Sequence, residues 1–125
     1  MKHHWCNRSS TIPFPCFCLC ITEAQFKGVL KHLKVTEQID WIKNAHSDGT
    51  THFFENKGKT SIAVCMRLKK GLTIEQIYGL LVHEAVHIWQ DIRDSIGEKS
   101  PSKEFEAYTV QHIAQELFLA YKKLK

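Results

Sequence analysis

The segment from Thr73 to Gly97 constrains this chain more than any other. Thr73-x-x-Gln76 is a capping box, and Ile74, Ile77, Leu81, Ala85, Ile88 and Ile92 recur at helical spacing. Gly97 supplies a C-terminal stop, so the pattern predicts a long helix to about Ser95 with at least one buried side. In its middle stands His83-Glu84-Ala85-Val86-His87, next to Leu80-Leu81-Val82. Two imidazoles and a carboxylate among apolar neighbours are costly to bury unless something uses them. From the chain's own composition, such a pentad arises by chance only about 0.04 times.

The other elements follow from similar signals. Phe14 to Ile21 is predicted as a strand that turns Cys16, Cys18 and Cys20 to one face. Thr22-x-x-Gln25 caps a short helix to about Lys34, with Phe26, Val29, Leu30 and Leu33 as its buried stripe. A further helical turn is expected around Glu37 to Lys43, ended by the polar stretch Asn44 to Gly49. Thr50 to Glu55 and Lys59 to Leu68 flank Asn56-Lys57-Gly58, which predicts a β-hairpin. Ile62, Val64, Met66 and Leu68 form an apolar face on its second strand, suited to meeting helices. Ser100 as cap and Pro101 at the first helical position open a last helix to about Lys122, with Ala107, Val110, Ala114, Leu117, Phe118 and Tyr121 along its apolar stripe. The expected fold is α+β: a small antiparallel or mixed sheet packed on a long helix and a C-terminal helix, in one domain over residues 1–125.

Composition narrows the function classes. With 43% hydrophobic and 24% charged residues the chain reads as an ordinary soluble domain, and no apolar run approaches the roughly 20 residues that span a bilayer. A formal charge of +4, with no nucleic-acid-binding signature, gives no reason to expect a nucleic-acid partner. The apolar stretch Ile12 to Ile21 contains Pro13 and Pro15 and lacks a small-residue cleavage site, so it is a poor export signal. The five cysteines are then expected as reduced thiols. Cys6, Cys16, Cys18 and Cys20, with His3 and His4, lack paired Cys-x-x-Cys knuckles and fit a buried thiol-rich strand better than a second metal site.

On a helix, residues four apart stand one above the other, so His83 and His87 address a single point. This suits a zinc ion, with Glu84 as general base for the water that the ion activates. A catalytic zinc usually takes a third protein ligand. The downstream candidates are Glu98, Glu104, Glu106, His112 and Glu116. Glu104 is favoured because it shares a stripe with Ala107, Gln111 and Ala114, whose small alanines permit close approach to the metal-bearing helix; Glu106, beside Val110 and Ile113, stands second. Tyr108, His112, Tyr78 and His52 are the candidate donors to a substrate carbonyl.

His83-Glu84-x-x-His87 followed on a later helix by Glu104-x-x-Ala107 resembles the gluzincin arrangement of the zincin-like fold, as in the ImmA/IrrE-type peptidases. The resemblance implies a minimal zincin-like metallopeptidase with Glu104 as third zinc ligand and a peptide or protein as substrate. Tyr108 stands where those families carry Asn or Asp. The chain as a whole also resembles small proteins encoded by tailed phages and prophages, which implies work in the cytoplasm of a bacterial host. In zincins a sheet-edge strand holds the extended substrate, and either strand of the hairpin is a candidate for that edge. The alternative function, from another class, is a zinc-containing binding or regulatory module that acts on a host protein without catalysis; retention of Glu84 argues against it, because a structural site has no use for a base.

Overall fold

A computed structural model describes residues 5–6, 15–44 and 46–125. It is a mixed α+β arrangement of a four-stranded sheet and three helices. In chain order the elements are β1 (Trp5–Cys6), β2 (Cys16–Cys20), α1 (Glu23–His32), β3 (Gly49–Asn56), β4 (Lys59–Met66), α2 (Ile74–Ser95) and α3 (Lys103–Leu124). The strand order is β1-β2-β4-β3, with β2 parallel to β4 and the other two pairings antiparallel. The hairpin's first strand, β3, is therefore an outer strand.

Strict alternation divides the sheet's side chains between two cores. Phe17, Leu19, Ile62, Val64 and Met66 face α2 and α3, where they pack with Leu81, Ala85, Ile88, Ile92, Ile113 and Leu117. Cys18, Cys20, Ala63 and Cys65 face the other way and pack with Phe26, Val29 and Leu30 of α1. Leu81, Ala85, Ile88 and Leu117 are 0% exposed, so truncating Leu81 to Ala would cost about 2–5 kcal/mol. On its side of the sheet, α2 touches β3, whereas α3 touches β2 and β1.

Local chemistry sets the boundaries. Thr22 and Thr73 both form complete capping boxes, with Gln25 and Gln76 as the reciprocal partners. Gly97, at φ 72°, ends α2 by donating its N–H to the Asp94 carbonyl. Lys57 and Gly58, at φ 53° and 79°, form the two-residue hairpin turn, a conformation favoured because it matches strand twist.

Two expectations are corrected, and one strand comes without a sequence signal. The segment expected as a helical turn, Glu37 to Lys43, is irregular; Ile39, Trp41 and Ile42 pack individually beneath α1, and that burial outweighs helix propensity. The last helix is capped by Ser102, whose Oγ accepts from the Phe105 N–H, instead of by Ser100. Trp5 and Cys6, for which no periodicity argues, pair with Cys18 and Phe17; a two-residue strand carries no periodic signal. His3 and His4 lie outside the described residues.

Candidate functional site

The exposed side of α2 carries the two imidazoles of the pentad. His83 and His87 direct their Nε2 atoms to within 3.2 Å of each other, with the rings nearly perpendicular at 80°. Two ligands on a tetrahedral zinc, each about 2.0–2.1 Å from it, stand about 3.3 Å apart. The observed separation matches that edge. Gln90 Oε1 lies 3.1 Å from His87 Nδ1, so an Nδ1–H can donate to it and leave Nε2 with its lone pair towards His83. In metal-free protein the same separation fits an imidazole–imidazole hydrogen bond.

Glu84 points from α2 towards the sheet and is 6% exposed. Its Oε2 accepts a hydrogen bond from the Thr51 hydroxyl, and its Oε1 lies against Gly49. Both partners sit on β3. The three residues His83, Glu84 and His87 line one cleft of about 490 Å³, together with Lys43, Gly49, Thr51, Phe53, Gln90, Asp91 and Asp94. Burial raises the pKa of the Asp91 carboxyl above its ordinary value, and the nearby Asp94 and Glu55 carboxylates add to the effect.

The hairpin register determines which backbone groups line this cleft. Asn56 pairs with Lys59 across the turn, and the Arg67 N–H donates to the Asp48 carbonyl at 2.8 Å. Antiparallel pairs alternate, so the even-numbered residues of β3 bond to β4 while Gly49, Thr51, Phe53 and Glu55 turn their N–H and C=O groups to the open edge. Gly49, Thr51 and Phe53 are cleft residues.

The structure does not bring the expected third ligands to the imidazoles. Trp89 projects about 200° around the helix from His87, and Glu106 accepts from its indole N–H at 2.8 Å. Phe105 packs on the same indole at 5.6 Å, while Tyr78 meets Phe118 at 4.7 Å, so α3 runs antiparallel to α2 along the flank away from β3. Glu104 is exposed on the first turn of α3 and does not line the cleft. Among the described residues, no three His, Cys, Asp or Glu side chains stand together as a metal-holding group. The two imidazoles thus converge without a third ligand-type side chain beside them among the described residues.

The residues considered for carbonyl stabilisation also lie elsewhere. Tyr108 is 66% exposed on α3, Tyr78 packs on Phe118, and His112 belongs to α3. His52 is buried on the opposite face of the sheet, where its Nε2 stands 2.9 Å from the Trp41 carbonyl and its ring stacks on Phe26. Lys43 is the cleft's cation among its lining residues. Gln90 and Asp91 were legible as helix neighbours of His87 at i+3 and i+4. Thr51 and Gly49 carry no such signal, because only the placement of β3 brings them to Glu84, and Lys43 reaches the cleft from the irregular segment before β3.

Comparison with known proteins adds nothing to this geometry: no family model, curated protein or solved structure matches the chain.

Proposed function

We propose that the chain is a zinc-dependent metallopeptidase of minimal zincin-like form. The observation that carries this reading is the pair of Nε2 atoms 3.2 Å apart beside a buried carboxylate on the same helix. His83 and His87 are the residues that would hold the ion, with Gln90 orienting His87. Zinc bound there would supply Lewis acidity, lowering the pKa of water and polarising a carbonyl.

The protein's own groups supply the remaining functions. Glu84 accepts the proton of the attacking water and returns it to the leaving amine. The open edge of β3 offers the N–H and C=O groups of Thr51 and Phe53 to an extended peptide, so main-chain pairing orients the scissile bond along the cleft. Closure of that edge by substrate removes water from around Glu84 and strengthens its electrostatic role. With Glu104 on the far flank in this arrangement, a ligand role for it requires the first turn of α3 to move around the end of α2.

The test is metal content, measured on tag-free protein purified without chelator. One equivalent of zinc in the wild type and its loss in His83→Ala are expected, whereas Glu84→Gln should retain zinc and lack peptide hydrolysis. Wild-type protein that takes up no zinc when the ion is added would reduce the imidazole pair to a hydrogen bond. It would favour a scaffold that recognises a host protein without catalysis.

A further inference from the structure

A glutamate on a helix has freedom in three side-chain torsions, yet a general base works only when its lone pair is aimed. On β3 one residue restricts that freedom and another leaves the room that the aimed carboxylate occupies. The Thr51 hydroxyl donates to Oε2 of Glu84. On the other side, Oε1 lies where a side chain on residue 49 would crowd it: a Cβ at Gly49 would stand 3.0 Å from Oε1, 3.6 Å from Cδ and 3.2 Å from the Cys65 carbonyl oxygen. The Cys65 carbonyl belongs to β4 and is fixed by the sheet, so an added methyl would displace the carboxylate. Gly49 and Thr51, two residues apart on a strand, present the same face to Glu84. Thr51 holds one carboxylate oxygen, and Gly49 leaves room for the other.

We propose that Thr51 and Gly49 are positioning residues for Glu84, Thr51 through its hydroxyl and Gly49 through the absence of a side chain. The proposal rests on the reading of Glu84 as the base. Its consequence is a mechanical link: the backbone groups of these two residues face the open sheet edge, so the strand that would receive substrate also aims the base. Thr51 accordingly has a use that β-propensity alone does not explain. A valine would fill the same volume and suit a strand equally well, but would leave a buried carboxylate oxygen without a donor.

The test uses zinc-loaded full-length protein and acetohydroxamic acid, a small zinc chelator that gives up a proton as it binds and so calls on the base. Calorimetric titration of the wild type should show binding. Thr51→Val should weaken it by about tenfold, the effect of one charge-assisted hydrogen bond. Thr51→Ser should restore affinity to within about twofold, because it returns the hydroxyl. Gly49→Ala should weaken binding with Thr51 intact, and Glu84→Gln sets the reference for complete loss of the base. Zinc content, measured in parallel, should stay at that of the wild type in all four variants. A Thr51→Val protein that keeps both its zinc and wild-type hydroxamate affinity would overturn the positioning role while leaving the zinc reading intact. A wild type that binds no zinc would overturn both.

Discussion

The two faces of the sheet each gather residues of the kind that bind metals or do chemistry, and they treat them in opposite ways. Beneath α1 the thiols of Cys18, Cys20 and Cys65 and the imidazole of His52 lie in an apolar layer formed by Phe26, Val29 and Leu30. Their polar atoms are turned on one another or on the backbone: the Cys18 and Cys65 thiols each hydrogen-bond with Cys20, and His52 with the Trp41 carbonyl. On the α2 side, His83 and His87 are exposed, and Glu84, although buried, lines a cleft. Ligand-type residues are common to both faces. Access and orientation are not, and these separate a core from a candidate site.

The largest effect that tests this comparison is chemical. Hydrogen bonding to Cys20 and burial push the Cys18 and Cys65 thiols far above the ordinary thiol range, and burial pushes Cys6 up to about 12 with the Glu116 carboxylate adding to it. In native protein, a disulfide reagent should therefore modify the half-buried Cys16 orders of magnitude faster than Cys18, Cys20 or Cys65, as resolved by peptide mass mapping. Rapid modification of Cys65 without unfolding would show that the α1 layer opens.

Next in size is a pH effect. Burial lowers the pKa of His52 below the ordinary imidazole value, against the opposing hydrogen bond with Trp41 and with the help of Lys43. The unfolded chain then binds a proton that the folded chain refuses, so stability is present above about pH 6.5 and falls as the pH drops towards the folded-state pKa. Melting temperatures from pH 8 to 5 should decline in the wild type, and the decline should be shallower in His52→Phe. Equal slopes would place the acid sensitivity elsewhere.

The smallest effect concerns α3. Glu106→Gln should cost about 1 kcal/mol of stability by weakening the bond from Trp89, and should leave zinc content unchanged. Glu104→Ala should alter neither, since its carboxylate is exposed on the far flank. A marked fall in zinc affinity with Glu104→Ala would mean that α3 rearranges to complete the metal site.

Much of the frame was legible because it depends on local chemistry. The capping boxes at Thr22 and Thr73, the hairpin turn at Lys57-Gly58 and the glycine stop at Gly97 act through neighbours a few residues away. The α2 boundary at Ser95 and the apolar face of β4 follow from periodicity for the same reason. Residues 37–43 depart from the expected helical turn because long-range packing of Ile39, Trp41 and Ile42 overrides a short helical pattern. Glu104 and Ala107 do share a helical stripe, but a stripe does not state which flank of a neighbouring helix it meets.

What the sequence determined by itself is a long capped helix with one apolar side and, on the other, two imidazoles four residues apart that must converge, because helical pitch leaves them no other choice. What only the tertiary structure decided is everything that reaches this point from elsewhere: β3 as the open edge, Thr51 and Gly49 at the two oxygens of Glu84, and α3 over β2 and β1 with Glu104 out of the cleft. Helix geometry acts over a turn or two, whereas strand order and helix placement are set by how two apolar layers close on a sheet. That choice is made by the whole core at once, and no single motif carries it.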